Sequence, residues 1–350
     1  MRDGFGREID YMRISVIDSC NLNCYYCNPC DNNEHCHALN ILSVKEVLCI
    51  VRAATRLGIK YFRLTGGEPL LHPQLDEMVL QIKQVSGVSS VSLTTNAVLL
   101  AQHAKRLKEA GIDSINVSLD TIDASEYERI TKKPLLEEVK HGIDAAIECG
   151  IRVKINVVLT PQTDVVALTR YAAKKGTDIR FIEMMPVGEG HTNGVEPYKK
   201  VIGTLSKLYG EPCRINTEKT KEINSGNDKR KIPDNGPAEY YIFPELGIRV
   251  GLIQAIHGKF CDTCNRIRVT ADGRLMPCLG SSVTMDLVPD SCDNTDDVEN
   301  DLVIAQALGA AIEAKPRCHN FNDNTVAYTK ATETKAAEVN AARNMSRIGG

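Results

Sequence analysis

The sequence has no run of 18 apolar residues, which excludes a membrane-spanning helix of ordinary length. Its first ten residues, MRDGFGREID, hold no apolar stretch, so no secretory signal is expected and a cytoplasmic location is. Neither sign of charge dominates. Lys and Arg number 42 against 45 Asp and Glu, a net charge of −3, so nothing global points to nucleic acid or a membrane surface as the main partner. Tryptophan is absent from all 350 residues. Cysteine is not: there are 13, an odd count that argues against a disulfide scaffold in a chain without a signal peptide. Clustered thiols in a reducing compartment read as metal ligands or redox groups.

Six apolar stretches have strand character, at 13–18, 61–65, 91–95, 114–119, 153–160 and 178–183, rich in Ile, Val, Leu and Thr. Amphipathic, helix-like stretches lie between most of them, at 43–57, 75–85, 102–110, 136–149 and 165–175. The first opens on a capping box, Ser43 with Glu46. Gly58, Gly111, Gly150 and Gly176 stand where helix-ending glycines belong. Strand and helix alternate every roughly 25–45 residues, which predicts a parallel sheet, either a partial (β/α)6 barrel or a doubly wound sheet. Residues 1–213 form that unit. Residues 214–239 are polar and broken by Gly and Pro, and read as a linker or loop. Residues 240–350 form a C-terminal region. It has two short strands at 240–243 and 248–253 around a turn, an acidic stretch at 286–301 that reads as solvated surface, and a helix at 324–344.

Two cysteine groups carry chemistry. Cys20, Cys24 and Cys27 are spaced C-x3-C-x2-C directly after the first strand. Loops at the C-terminal ends of barrel strands are where such folds place catalysis. Three thiolates hold three irons of a 4Fe–4S cluster and leave the fourth open. Cys30 and Cys36 are candidate fourth ligands, and a zinc site or unrelated thiols are the plainer alternative. Thr65-Gly66-Gly67-Glu68-Pro69 ends the second strand, about 40 residues on. Cys261, Cys264 and Cys278 are spaced C-x2-C-x13-C. They suit a second three-cysteine cluster, or a structural zinc with His257 or Cys292 as fourth ligand. Arg266 and Arg268 share one face if their segment is a strand, and two guanidiniums beside a cluster suit an anionic or carbonyl-rich ligand. Arg13, Arg63 and Lys154 lie in three predicted core strands, where an unpartnered charge is costly, and so point to an anion.

The first trio and the GGEP segment, in this order, are the signature of the radical S-adenosylmethionine (SAM) enzymes. Over nearly the whole chain the sequence resembles the GTP 3′,8-cyclase family. The resemblance rests on FGREIDYMRISVIDSCNLNCYYC, RLTGGEPLL, SLTTNA, INVSLDTID, VKINVVL, IRFIEMMPVGEG, FCDTCNRIRVTADGRLMPCL and the terminal Gly-Gly. It implies a partial (β/α)6 barrel, two 4Fe–4S clusters and SAM, with GTP between the clusters and its guanine on the open iron of the second. A 5′-deoxyadenosyl radical would take the ribose 3′ hydrogen, and the carbon radical would attack C8 of guanine. The product would be (8S)-3′,8-cyclo-7,8-dihydroguanosine 5′-triphosphate, an intermediate of molybdenum cofactor biosynthesis.

The resemblance implies SAM contacts from Tyr26, Gly66, Gly67, Glu68, Ser118 and Met185. It implies GTP contacts from Arg13, Arg63, Thr94, Lys154, Arg180, Arg266 and Arg268, and a tail, Gly349-Gly350, that enters the site beside Arg266 and Arg268 as part of the catalytic set. It also implies an electron donor, a downstream cyclic pyranopterin monophosphate synthase, and a monomer or homodimer. The sequence departs from the family pattern at Asn28, where Met is usual, at Tyr61, where a basic residue is usual, and at Ala97, where Gly is usual. Two other readings compete. Another radical SAM enzyme with an auxiliary cluster would lack the CNR-x-R segment and the Gly-Gly tail. A zinc-stabilised binding module would be colourless and basic.

Overall fold

The computed structural model describes residues 1–27, 40–187, 194–215, 236–281, 284–287, 297–319 and 321. Strands and helices alternate through the first half. They are β1 (Tyr11–Ser15), α1 (Val44–Arg56), β2 (Tyr61–Thr65), α2 (Leu75–Gln84), β3 (Ser90–Thr95), α3 (Leu100–Glu109) and β4 (Ser114–Ser118). Two helices, α4 (Ala124–Thr131) and α5 (Leu136–Glu148), precede β5 (Arg152–Leu159), α6 (Val165–Lys174) and β6 (Asp178–Glu183). The six strands are parallel and pair in chain order. This is the partial (β/α)6 barrel, and its sheet does not close. The Ser43–Glu46 capping box opens α1 as its residues predict. Gly58, Gly111, Gly150 and Gly176 all take positive φ after helices.

The strands bury one face under the helices. Met12, Ile14, Phe62, Leu64, Val91, Leu93, Ile115, Val117, Ile155, Val157, Ile179 and Phe181 are all at or near zero exposure. Alternation sends the intervening residues to the concave face. There the strands offer Tyr11, Arg13, Ser15, Arg63, Ser92, Thr94, Asn116, Lys154, Asn156 and Arg180, a polar lining in a fold whose barrel interiors are more often apolar.

The remaining elements are α7 (Gly203–Tyr209), β7 (Cys213–Ile215), β8 (Glu239–Ile242), β9 (Arg249–Ile253), β10 (Arg266–Val269), β11 (Arg274–Met276), β12 (Met285–Asp286) and α8 (Asp297–Glu313). They extend the same sheet at both edges, in the order β12-β11-β10-β1-β2-β3-β4-β5-β6-β9-β8-β7. Strand β10 runs parallel to β1, and β9 runs parallel to β6. The strands expected at 240–243 and 248–253 are β8 and β9.

Two expectations are corrected. The stretch 214–239 is not loop throughout, because Arg214 and Ile215 belong to β7 and pair with β8, and Glu239 begins β8. Residues 216–235 lie outside the described residues. The acidic stretch 286–301 is not all solvated surface. Asp301 is buried on α8, where its carboxylate takes Arg52 Nε of α1 at 2.9 Å and lies 3.8 Å from Arg56. A charge run looks solvated until a helix face turns one member toward a partner cation. The helix expected at 324–344 lies outside the described residues. No helix among the described residues is long and apolar enough to cross a membrane.

Candidate functional site

The first cysteine trio sits where β1 delivers the chain to the C-terminal mouth of the sheet. The neighbouring strand end locks onto that loop. Gly67 N donates to Ile17 O at 2.7 Å, and Glu68 N donates to Ser19 O at 2.8 Å. A Cβ on Gly67 would lie 2.2 Å from Ser19 O, and one on Gly66 would lie 2.3 Å from Ile17 O. The pair is glycine because two backbones meet there.

Glu68 is fully buried. Its Oε1 accepts from Thr95 Oγ1 at 2.6 Å and from Leu70 N at 3.1 Å, and its Oε2 accepts from Asn96 N at 2.7 Å. Burial pushes this carboxyl up to about 7, against those three donors. Asn96 Nδ2 in turn donates to Asn21 Oδ1 at 2.8 Å and stands 3.8 Å from Cys20 Sγ. On the other side Tyr26 donates its hydroxyl to Asp120 Oδ2, while Asp120 Oδ1 accepts from Val158 N at 2.8 Å. Burial pushes Asp120 up to about 6, against those two bonds. The ends of β1 to β5 are thus stitched around the trio.

Burial and the charge of Glu68 push the Cys20 thiol up to about 11. Burial, with Cys20 and Asp120 nearby, pushes Cys27 up to about 12, and Cys24 is raised further by burial and by Cys27. These thiols stay protonated until a metal displaces the proton.

The second trio lies at the other end of the sheet. Cys261 and Cys264 flank a single 3-10 turn just before β10, and Cys278 follows β11. Because β10 and β1 are parallel and in register from Tyr11 opposite Arg266, residues before Arg266 stand below the start of β1. The first trio stands beyond its end, and a five-residue strand spans about 17 Å. Burial raises the Cys264 thiol, but Arg266 and Lys315 outweigh it and bring it down to about 7. Among the described residues no three or more His, Cys, Asp or Glu side chains converge as ligands of a single metal ion. Each trio offers three thiols, enough for three irons of a 4Fe–4S cluster.

Between the trios the lining is cationic. Arg268, Arg13 and Arg63 are direct cross-strand neighbours on β10, β1 and β2. Like charges so placed repel. Burial, followed by Arg268 and Arg63, holds Arg13 well below the usual arginine range, and burial with Arg266 brings Arg268 down to about 10. Thr94, Asn116 and Lys154 form a second row on β3, β4 and β5, and Ser118, Asn156 and Arg180 form a third on β4, β5 and β6. Arg180 Nε donates to Asn156 Oδ1 at 2.9 Å. Both amide atoms of Asn116, the hydroxyls of Ser15 and Thr94, and Arg180 Nη2 are buried without a hydrogen-bond partner among the described residues. Buried polar atoms left this way are costly, and a polyanionic ligand with many acceptors fits them.

Residues 14–169 match the model of the Radical SAM superfamily, and residues 177–321 match Molybdenum Cofactor Synthesis C. A protein of Clostridium perfringens (strain SM101 / Type A) described as GTP 3′,8-cyclase is 35% identical over 92% of this chain and 95% of its own length. One of Alkaliphilus oremlandii with the same description is 34% identical over the whole of both chains. The chain belongs to the GTP 3′,8-cyclase family. Among solved structures, Streptococcus suis SuiB bound to S-adenosylmethionine has a TM-score of 0.53 at 16% identity, covering 82% of this chain and 65% of SuiB. Native anSMEcpe with bound AdoMet has a TM-score of 0.51 at 17% identity, covering 77% of this chain and 74% of its own. At such identities these two share the fold.

As a member of the GTP 3′,8-cyclase family the chain carries SAM and two 4Fe–4S clusters, and both thiol trios fit that role. Ser118 is exposed and Met185 is half-buried at strand ends of the mouth, on the same side of the sheet as the first trio. His257 Nδ1 meets the buried carboxylate of Glu183, a bond that still leaves Nε2 able to ligate a metal. Cys292, Asn28, Cys30, Cys36, Gly349 and Gly350 lie outside the described residues.

Sequence reasoning missed Asp120, Asn116, Arg7 and Lys315. The first two stand in INVSLDTID and Arg7 in FGREID, both quoted for the resemblance, but the motifs alone do not say which side chains meet the site.

Proposed function

We propose that the chain converts GTP to (8S)-3′,8-cyclo-7,8-dihydroguanosine 5′-triphosphate in molybdenum cofactor biosynthesis. The observation that carries this reading is the cationic, polar lining between two cysteine trios set at opposite ends of one sheet. Bound at the first trio, SAM and its cluster supply a 5′-deoxyadenosyl radical. Tyr26, Gly66, Gly67, Ser118 and Met185 hold SAM at the mouth, and Glu68 supports them by fixing Asn96 and the loop of Cys20. Arg13, Arg63 and Lys154 take the triphosphate, and Thr94 and Arg180 orient the nucleotide from the second and third rows. Arg266 and Arg268 face the guanine end, next to Cys261, Cys264 and Cys278, and Gly349-Gly350 completes the catalytic set with them. A ribose radical reacts with whatever it meets, so the lining has to fix the 3′ carbon against C8 and exclude water. Cations on several strands can hold both ends of one nucleotide.

In this reading residues 1–213 bind SAM, and residues 240–350, reached through 214–239, carry the second cluster. An electron donor supplies the first cluster, and a cyclic pyranopterin monophosphate synthase takes the product. The protein acts as a cytoplasmic monomer or homodimer.

The test is anaerobic. Reconstituted protein is given SAM, a reductant and GTP, and 5′-deoxyadenosine and the cyclised nucleotide are followed by mass spectrometry. Both products, dependent on GTP, with about eight irons per chain, are expected. SAM cleavage with GTP unchanged would defeat the cyclase reading.

A further inference from the structure

Lys315 is 2% exposed, just beyond α8, and among the described residues its ammonium has two bonded partners, both backbone carbonyls. It donates to Arg266 O at 2.8 Å and to Pro277 O at 2.6 Å. Arg266 is two residues after Cys264, and Pro277 immediately precedes Cys278. One side chain therefore ties the C-x2-C segment to the strand end that brings the third cysteine. Among the described residues no carboxylate pairs with it. A buried ammonium without an anion is unfavourable. Burial holds the Lys315 ammonium below the usual lysine range, and the thiols of Cys264 and Cys278 oppose that shift.

The strap around Lys315 is held in place from two further sides. Arg7 Nη1 donates to Cys261 O at 2.8 Å and Arg317 O at 2.9 Å, and its Nη2 donates to Pro316 O at 2.7 Å. His319 bonds Ala255 O at 2.8 Å, and its backbone N–H reaches the thiol of Cys261. Residues 315–319 cannot swing away without breaking these bonds, so the ammonium stays on the two ligand-bearing segments. Around the first trio the charged neighbours have the opposite sign, the carboxylates Glu68 and Asp120.

We propose that Lys315 is a positioning residue of the second cluster, which joins its two ligand segments and holds a positive charge against its thiolates, so that this cluster accepts an electron at a higher potential than it otherwise would. Reduction adds one negative charge to a cluster, and a cation fixed nearby in a low-dielectric site favours the reduced form. The carboxylates at the first trio act in the other direction. The two clusters are thereby ordered, with the stronger reductant at the SAM end. This rests on the two-cluster reading given above.

The experiment uses the full-length protein, anaerobically reconstituted, as wild type, Lys315→Met and Lys315→Arg. Iron is counted, and each protein is titrated potentiometrically with electron paramagnetic resonance, SAM being added to mark the signal of the first cluster. Lys315→Met is expected to keep its iron and shift the midpoint of the second cluster to lower potential, with the first unchanged. Lys315→Arg is expected to stay at the wild-type potential. An unmoved midpoint in Lys315→Met overturns the proposal. So does an equal shift in both variants, or an equal loss of second-cluster iron in both, since Lys315 would then be packing alone. A wild type holding about four irons would instead defeat the two-cluster reading itself, and the proposal with it.

Discussion

Ala97 holds a backbone φ of 65°, in the left-handed region, and is fully buried. The turn that carries it follows β3, with Ala97 N donating to Thr95 Oγ1 at 2.9 Å. Its carbonyl lies 2.4 Å from where a Cβ on Gly142 of α5 would stand, so the turn has no room to relax toward the helix. A side chain in this conformation costs about 1–2 kcal/mol, part of which glycine gives back in the unfolded chain. Ala97→Gly, the residue usual in the family, is therefore expected to stabilise the protein by about 1 kcal/mol, read as a rise in the urea midpoint. No rise would mean that the lost methyl contact offsets the relieved strain. Gly251 works in the opposite sense: a Cβ there would meet Arg180 Cγ at 2.8 Å, so its hydrogen gives Arg180 the space to lie across the lining.

Between elements, the decisive contact is the one where the end of β2 meets the loop after β1. It consists of two backbone hydrogen bonds and two glycines with no space for a methyl. Gly67→Ala would push on Ser19 and Asp18, the residues just before Cys20. The expected result is loss of first-cluster iron, leaving about four irons per chain, while the helical circular dichroism stays as in wild type. Full iron content in that variant would show that the loop can move aside without disturbing the thiols. The same contact explains why GGEP follows the first cysteine group in the chain. Adjacent parallel strands bring their C-terminal ends together, whatever the length of helix between them.

For the whole molecule, the barrel and the C-terminal region share one sheet, and buried ions tie the N-terminal segment to them. Arg7 and Asp3 pair at 2.6 Å with almost no exposure, and the same guanidinium binds the carbonyls of Cys261, Pro316 and Arg317. Removing it takes this donor from three carbonyls and leaves the buried Asp3 carboxylate with the backbone N–H groups of Phe5 and Arg7 but no cation. Arg7→Ala is expected to cost about 3–5 kcal/mol in denaturant unfolding and to lower second-cluster iron with the first retained. Equal loss of both clusters would mean that global unfolding, rather than the strap at residues 315–319, is what Arg7 prevents. At the other end of α8, Asp301 joins that helix to Arg52 of α1, which fastens the C-terminal region to the back of the barrel.

The six parallel strands, most helices and both cysteine trios are legible in the chain itself. Strand and helix periods are local properties, and C-x3-C-x2-C and C-x2-C-x13-C are spacings along one dimension. The helices α4, α7 and α8 and the strands β7, β10, β11 and β12 are short or weakly patterned, and their stability comes from the sheet edge or helix face that receives them. The site divides in the same way. Arg13, Arg63 and Lys154 could be suspected because charge in a core strand is unusual in any fold. That Arg268 stands beside Arg13, that Asp120 receives Tyr26, and that Lys315 bonds the segments of Cys264 and Cys278 depended on strand register and on contacts between distant parts of the chain. Sequence determined which groups are present. Only the tertiary structure decided which of them share a low-dielectric interior, where position converts a charge into chemistry.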